Sequence, residues 1–148
     1  FLTTPYQTVQ NIFNTNFFGT FLFSREVSKV MMRQKFGRIV NYTTVASALR
    51  LEGEAIYAAS KGAIENFTQT ISKEVAPYNI TVNAIGPTPV ETDLIKAVPK
   101  DKIADLLDKQ AIKRFGTFED IKNVIDFFID DKSNFITGQI IYLGGIHN

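Results

Sequence analysis

Segments with helical apolar spacing alternate with short β-branched runs along this chain, and that alternation restricts its fold more than any other property. From about Tyr6 to Gln34, Val9, Phe13, Phe17, Phe21 and Val27 recur near helical spacing, with Arg25, Glu26 and Lys29 set towards water. Gly37 closes this helix, and Arg38 to Thr43 reads as a short strand followed by a loop to Gly53. Glu54 to about Ala76 reads as a second long helix, ended by Pro77. Ile80 to Ile85 is a β-branched strand stopped by Gly86-Pro87, and an irregular loop carrying Pro89, Glu91 and Asp93 follows. Further helices are expected from about Asp101 to Gln110 and from Glu119 to Asp130, then a last strand from Gly138 to Leu143 before Gly144-Gly145. Helix then strand, three times over, predicts an α/β fold: a doubly wound parallel sheet with helical crossovers. The first strand is expected to keep an unpaired, largely apolar edge.

Composition narrows the function classes. A chain of 148 residues, 45% hydrophobic, suits one core and not two domains. It has no cysteine, which excludes disulfides and thiolate metal sites, and its one histidine, His147, cannot build a histidine-rich metal site. We expect no metal. A net charge of +1 without a basic cluster argues against nucleic acid as a partner. No apolar run has the length of a membrane span, and Phe1 to Pro5 carries no signal-peptide pattern, so a cytoplasmic protein is expected.

Chemistry concentrates around Tyr57. Lys61 follows four residues later in Y-A-A-S-K, and Thr44 precedes it by thirteen in V-N-Y-T-T-V-A-S. Residues four apart share a helix face. An ammonium beside a phenol favours the phenolate, so Lys61 is expected to lower the Tyr57 pKa from its free value of about 10 towards the range of a general acid/base. Thr44 ends a predicted strand, and ligands of open α/β sheets bind outside the carboxyl ends of strands. Taken singly, Tyr57 and Lys61 are a helix-surface pair worth a few tenths of a kcal/mol, and Thr44 is a β-branched strand terminus. The small residues Ala58, Ala59, Ser60, Gly62 and Ala63 change that weighing, because they allow a ligand or another helix to approach closely.

The stretches G-R-I-V-N-Y-T-T-V-A-S, Y-A-A-S-K-G-A-I-E-N-F-T, I-T-V-N-A-I-G-P-T-P-V-E-T-D-L and I-T-G-Q-I-I-Y-L-G-G, in that order, resemble the short-chain dehydrogenase/reductase family. The likeness is nearest to 3-oxoacyl-(acyl-carrier-protein) reductases and runs from about Val9 to Gly145. It implies a Rossmann-like sheet represented by its C-terminal half, three strands with flanking helices. It also implies an NAD(P)-dependent oxidoreductase that interconverts a ketone and a secondary alcohol. Tyr57 matches the catalytic acid, and Lys61 the lysine that lowers its pKa and holds the nicotinamide ribose. Thr44 matches the serine that orients the carbonyl, and Asn16 the helix asparagine whose backbone holds a relay water. Pro87, Val90 and Thr92 match the loop that contacts the nicotinamide, with NADP or NAD as cofactor.

Two departures accompany the resemblance. Thr88 stands where the family carries glycine, and threonine resists the positive φ that glycine permits. The family's glycine-rich phosphate turn lies upstream of the Asn16 position, and no glycine pair here opens a βα unit that could replace it. Residues 1–148 are therefore expected to be the C-terminal catalytic part of a single domain, without the nucleotide-binding half and inactive alone. The competing reading is a non-catalytic relative serving as a structural or binding subunit; a sugar-nucleotide epimerase is disfavoured by the short segment after Asp93. The expected partners are a small ketone or alcohol and a second copy of the chain, in a homodimer or homotetramer through the two long helices. An acyl carrier protein ranks lower: of the two basic residues that dock it near the site entrance, Lys35 keeps one charge and Tyr78 replaces the other.

Overall fold

A computed structural model of the chain describes residues 1–91, 95 and 98–147. The first helical segment comprises α1 (Tyr6–Phe13), a π turn over Asn14–Phe18 and α2 (Gly19–Gln34). Strand β1 (Gly37–Tyr42) and the short helix α3 (Val45–Leu49) come next, then the long helix α4 (Ala55–Val75) and strand β2 (Ile80–Gly86). Helices α5 (Lys100–Asp108) and α6 (Phe118–Ile129) precede strand β3 (Ile140–Tyr142). Among the described residues the strands form one parallel sheet in the order β1-β2-β3, with Gly37 opposite Ile80 and Ala84 opposite Ile140.

The centre of this sheet explains its sequence. Every residue of β2 is buried, as a parallel strand covered on both faces should be. Ile39, Val75, Ile80 and Val82 form one apolar cluster, closed by Met31, Met32 and Ile71 from the two long helices. Val45, Ala48 and Ile146 form a second under the site end of the sheet, with Leu49, Leu106 and Tyr142 packed on it. The β1 edge is unpaired among the described residues, as the alternation predicted.

Three sequence expectations need correction. The segment after β1 is not all loop, because Thr44 caps α3: its side chain accepts a 3.3 Å hydrogen bond from the Ala46 amide. The first long helix is continuous but not regular, since the π turn interrupts it at Asn14–Phe18. The last strand is also shorter than expected. Gly138 has φ +70°, outside the strand, and side chains extend the pairing there. The Thr137 hydroxyl accepts from the Val82 amide at 3.0 Å, and Asn83 Oδ1 accepts from the Gln139 amide at 3.0 Å.

Gly86, at the end of β2, is fixed by close packing. A Cβ there would lie 2.3 Å from Cδ1 of the Tyr142 ring and 3.2 Å from the Thr43 methyl. Gly86→Ala is therefore expected to destabilise the protein by about 1–3 kcal/mol through overpacking. Chemical denaturation at fixed pH checks this.

Candidate active site

The site is assembled where β1 and β2 end. Pairing continues past the regular strands: the Thr43 amide donates to the Ile85 carbonyl at 2.8 Å, and the Val45 amide to the Pro87 carbonyl at 3.3 Å. These bonds hold Thr44 beside the loop that opens with Pro87. Helix α4 then brings Tyr57 up to Thr44, whose side chain acts on the phenol. Lys61 lies one turn further along the same helix face. Its ammonium donates to the Tyr42 main-chain carbonyl at 3.0 Å.

Asn16 approaches from the π turn. Its Nδ2 donates to the Ser60 hydroxyl at 2.9 Å, and Ser60 in turn donates to the Tyr57 main-chain carbonyl at 2.7 Å. Ser60 is fully buried, which makes this link between α4 and the π turn costly to break. The Asn16 carbonyl accepts from the Thr20 hydroxyl at 2.7 Å. Asn16 and Lys61 both line a groove of about 450 Å³ that runs beside β1, between it and α2. Four side chains matched by the resemblance, Asn16, Thr44, Tyr57 and Lys61, are thus brought to one end of the sheet.

Electrostatics departs from the sequence expectation. Burial pushes the Tyr57 phenol above its ordinary range, opposed by the hydrogen bond with Thr44 and reinforced by the nearby Glu54 carboxyl. The Lys61 ammonium is directed to the Tyr42 carbonyl. Burial lowers the Lys61 pKa itself. Tyr57 is therefore held as a protonated phenol at neutral pH, and Thr44 favours its ionised form in this arrangement.

The loop after β2 meets the expectation unevenly. Pro87 is tied to Val45, and Val90 forms an isolated parallel bridge with Gly116. Thr92 lies outside the described residues. Thr88 does not adopt the positive φ that its replacement of glycine called into question. It is buried, with its side chain set against two other glycines: a Cβ on Gly116 would lie 2.8 Å from its hydroxyl, and one on Gly144 would lie 2.8 Å from its methyl. Glycine at those positions makes the room that threonine needs.

Lys35 and Tyr78 fall elsewhere. Each stands two residues before a strand, Lys35 before β1 and Tyr78 before β2. A six-residue strand of about 20 Å separates that end of the sheet from Thr44, so within one chain neither borders the site. Sequence reasoning also missed Glu65, whose carboxyl accepts hydrogen bonds from Thr43 and Ser47 on either side of Thr44. Its signal was present in the spacing, because Tyr57, Lys61 and Glu65 follow one another at intervals of four on a single helix face.

A parallel sheet covered by helices, with polar side chains gathered at the carboxyl ends of its strands, defines a Rossmann-like α/β protein. Residues 1–147 match a family model described as Enoyl-(Acyl carrier protein) reductase, and the chain belongs to the short-chain dehydrogenase/reductase family. It is 36% identical over 135 residues to a 3-oxoacyl-(acyl-carrier-protein) reductase of Staphylococcus epidermidis, covering 91% of this chain and 55% of the relative. It is 33% identical, with the same coverage, to the Escherichia coli enzyme of that name. Its fold matches an NAD+-bound xylitol dehydrogenase with TM-score 0.89 at 29% identity, covering 97% of this chain and 62% of the other. A putative gluconate dehydrogenase from Agrobacterium tumefaciens matches with TM-score 0.91 at 30% identity, covering 97% and 58%. The chain spans about half the length of the curated relatives it matches. Among the described residues no helix is long and apolar enough to cross a membrane.

Proposed function

We propose that the intact protein is an NAD(P)-dependent oxidoreductase that interconverts a ketone and a secondary alcohol, with Tyr57 exchanging the proton. The observation that carries this reading is the placement of Thr44 beside Tyr57 at the carboxyl end of β1. It sets two hydroxyls where one carbonyl oxygen could meet both. Family membership and the activities of the relatives support the reaction class.

The residues present fit the nicotinamide end of a dinucleotide. Lys61 offers an ammonium within the groove beside β1, one turn from the Tyr57 phenol, and this pair suits ribose hydroxyls. Pro87 and Val90 would border the nicotinamide itself, with Thr92 following in sequence. When bound, the cofactor supplies or accepts the hydride. Thr44 orients the carbonyl by a hydrogen bond to its oxygen, and Tyr57 gives that oxygen its proton as the alcohol forms. Asn16, through its backbone carbonyl in the π turn, holds a water that returns the proton. The intact protein is proposed to be cytoplasmic and to pair with a second copy through α1–α2 and α4, where Phe18, Leu22 and Phe23 are exposed. Thr88 offers no support for a non-catalytic subunit, since it occupies ordinary backbone space.

The raised Tyr57 pKa gives this reading a pH signature. A phenol protonated through neutral pH is ready as an acid, so carbonyl reduction should hold level across neutral pH and fall only above the ordinary phenol range. Alcohol oxidation, which needs the phenolate, should rise with pH over the same span. Initial rates measured in both directions check this, and a reduction rate that falls between pH 6 and 8 counts against Tyr57 as the acid. The deciding experiment is removal of the Tyr57 hydroxyl.

A further inference from the structure

Thr44 is held from below by a carboxyl group outside the four-residue set. Glu65 Oε1 accepts from the hydroxyls of Thr43 and Ser47, the residues one before and three after Thr44. Ser47 Oγ also lies 2.7 Å from the Thr44 carbonyl, and Thr43 Oγ1 lies 3.4 Å from Ser47 Oγ. One carboxyl oxygen therefore gathers two hydroxyls that bracket Thr44, and it is carried on the helix that also carries Tyr57. Thr43 has few alternatives in reach, because it is buried and its other carbonyl acceptor, that of Lys61, is 3.5 Å away. The arrangement fixes the Thr44 backbone to α4 two turns beyond Tyr57.

We propose that Glu65 is a positioning residue that sets the Thr44 hydroxyl against Tyr57 by clamping Thr43 and Ser47 to α4. This rests on the reading of Thr44 as the carbonyl-orienting group. The clamp needs an acceptor at Oε1 and does not need a charge, since a glutamine carbonyl oxygen also has two lone pairs. Leucine keeps the volume and removes the acceptor. A site group displaced by about 1 Å can cost on the order of 100-fold in rate.

The test uses the intact protein with Glu65→Leu, Glu65→Gln and Ser47→Ala. Glu65→Leu should lower kcat about 10- to 100-fold with the cofactor KM little changed, while Glu65→Gln stays within about 3-fold. Carbon-13-labelled tyrosine followed by NMR gives a readout apart from activity. Losing the Thr44 hydroxyl from beside the phenol should raise the Tyr57 titration in Glu65→Leu, and no such rise should occur in Glu65→Gln. Removing an acidic group alone would shift it the other way, so the sign identifies the cause. If Glu65→Leu does not fold, Ser47→Ala should show the same two effects in smaller measure; in a foldable Glu65→Leu background it should add almost nothing. Turnover that falls with the Tyr57 titration unmoved overturns the proposal, as does an unchanged enzyme. A shifted titration with normal turnover upholds the clamp and refutes the role given to Thr44.

Discussion

Tyr57→Phe in the intact protein is expected to lower turnover by about 10²–10⁴-fold, the usual contribution of a positioned general acid. Phenylalanine preserves the ring that packs at the start of α4 and deletes only the hydroxyl. Stability should change little, by no more than the roughly 0.5–1.5 kcal/mol that one hydrogen bond is worth net. Cofactor affinity should fall far less than turnover, since of the pair assigned to the ribose the Lys61 ammonium is kept. The measurement is steady-state turnover with saturating ketone, read at the nicotinamide absorbance, alongside cofactor titration. Near-normal turnover in this variant would remove Tyr57 from the chemistry and leave family membership as the sole support for the function.

The largest stability effect short of a gross core deletion is expected at Asn83. This side chain is 1% exposed in the middle of β2, yet both ends of its amide are used. Nδ2 donates to the Ile136 carbonyl and Oδ1 accepts from the Gln139 amide, both at 3.0 Å. The regular β2–β3 ladder has three residue pairs, so these two bonds carry the strand pairing backwards over the turn at Gly138. Asn83→Leu, which keeps the branching and the heavy-atom count, strands a carbonyl and an amide with no replacement partner. An expected cost of about 2–4 kcal/mol follows from the penalty for unsatisfied buried groups. Urea denaturation of the variant checks it, and a loss below about 0.5 kcal/mol would show that water replaces the asparagine.

Much of this was legible in the sequence because periodicity reports burial. The fully buried β2 reads as a continuous β-branched run, and α4 as a long amphipathic segment ended by proline. Tyr57, Lys61 and Thr44 were found because their spacing relates helix turns to a strand end. What escaped depends on the third dimension. Lys61 has a backbone acceptor in Tyr42, nineteen residues away, and no local pattern shows that the ammonium prefers it. The fit of Thr88 depends on glycines at 116 and 144, distant in sequence and adjacent in space. Likewise α3 is too short for its apolar spacing to register, and only the Thr44 cap defines it. The Glu65 clamp was visible as spacing but silent as chemistry until Thr43 and Ser47 were brought to it.

The π turn at Asn14–Phe18 carries a consequence for how this helix tolerates change. It accommodates one residue more than an α turn would at the same place, so it behaves as an insertion stored inside a helix instead of in a loop. Deleting a single residue there would let the helix close into regular α geometry. The two halves would keep nearly the same phase, because the wide turn already absorbs the roughly 100° by which one residue advances a helix. Phe21, beyond the turn, would keep its ring against Phe67, while Asn16, which reaches Ser60, and Phe17, which also meets Phe67, lie within the turn and would be displaced. The segment therefore confines the change: a deletion within it acts on the site at Asn16 and leaves the rest of the helix in register.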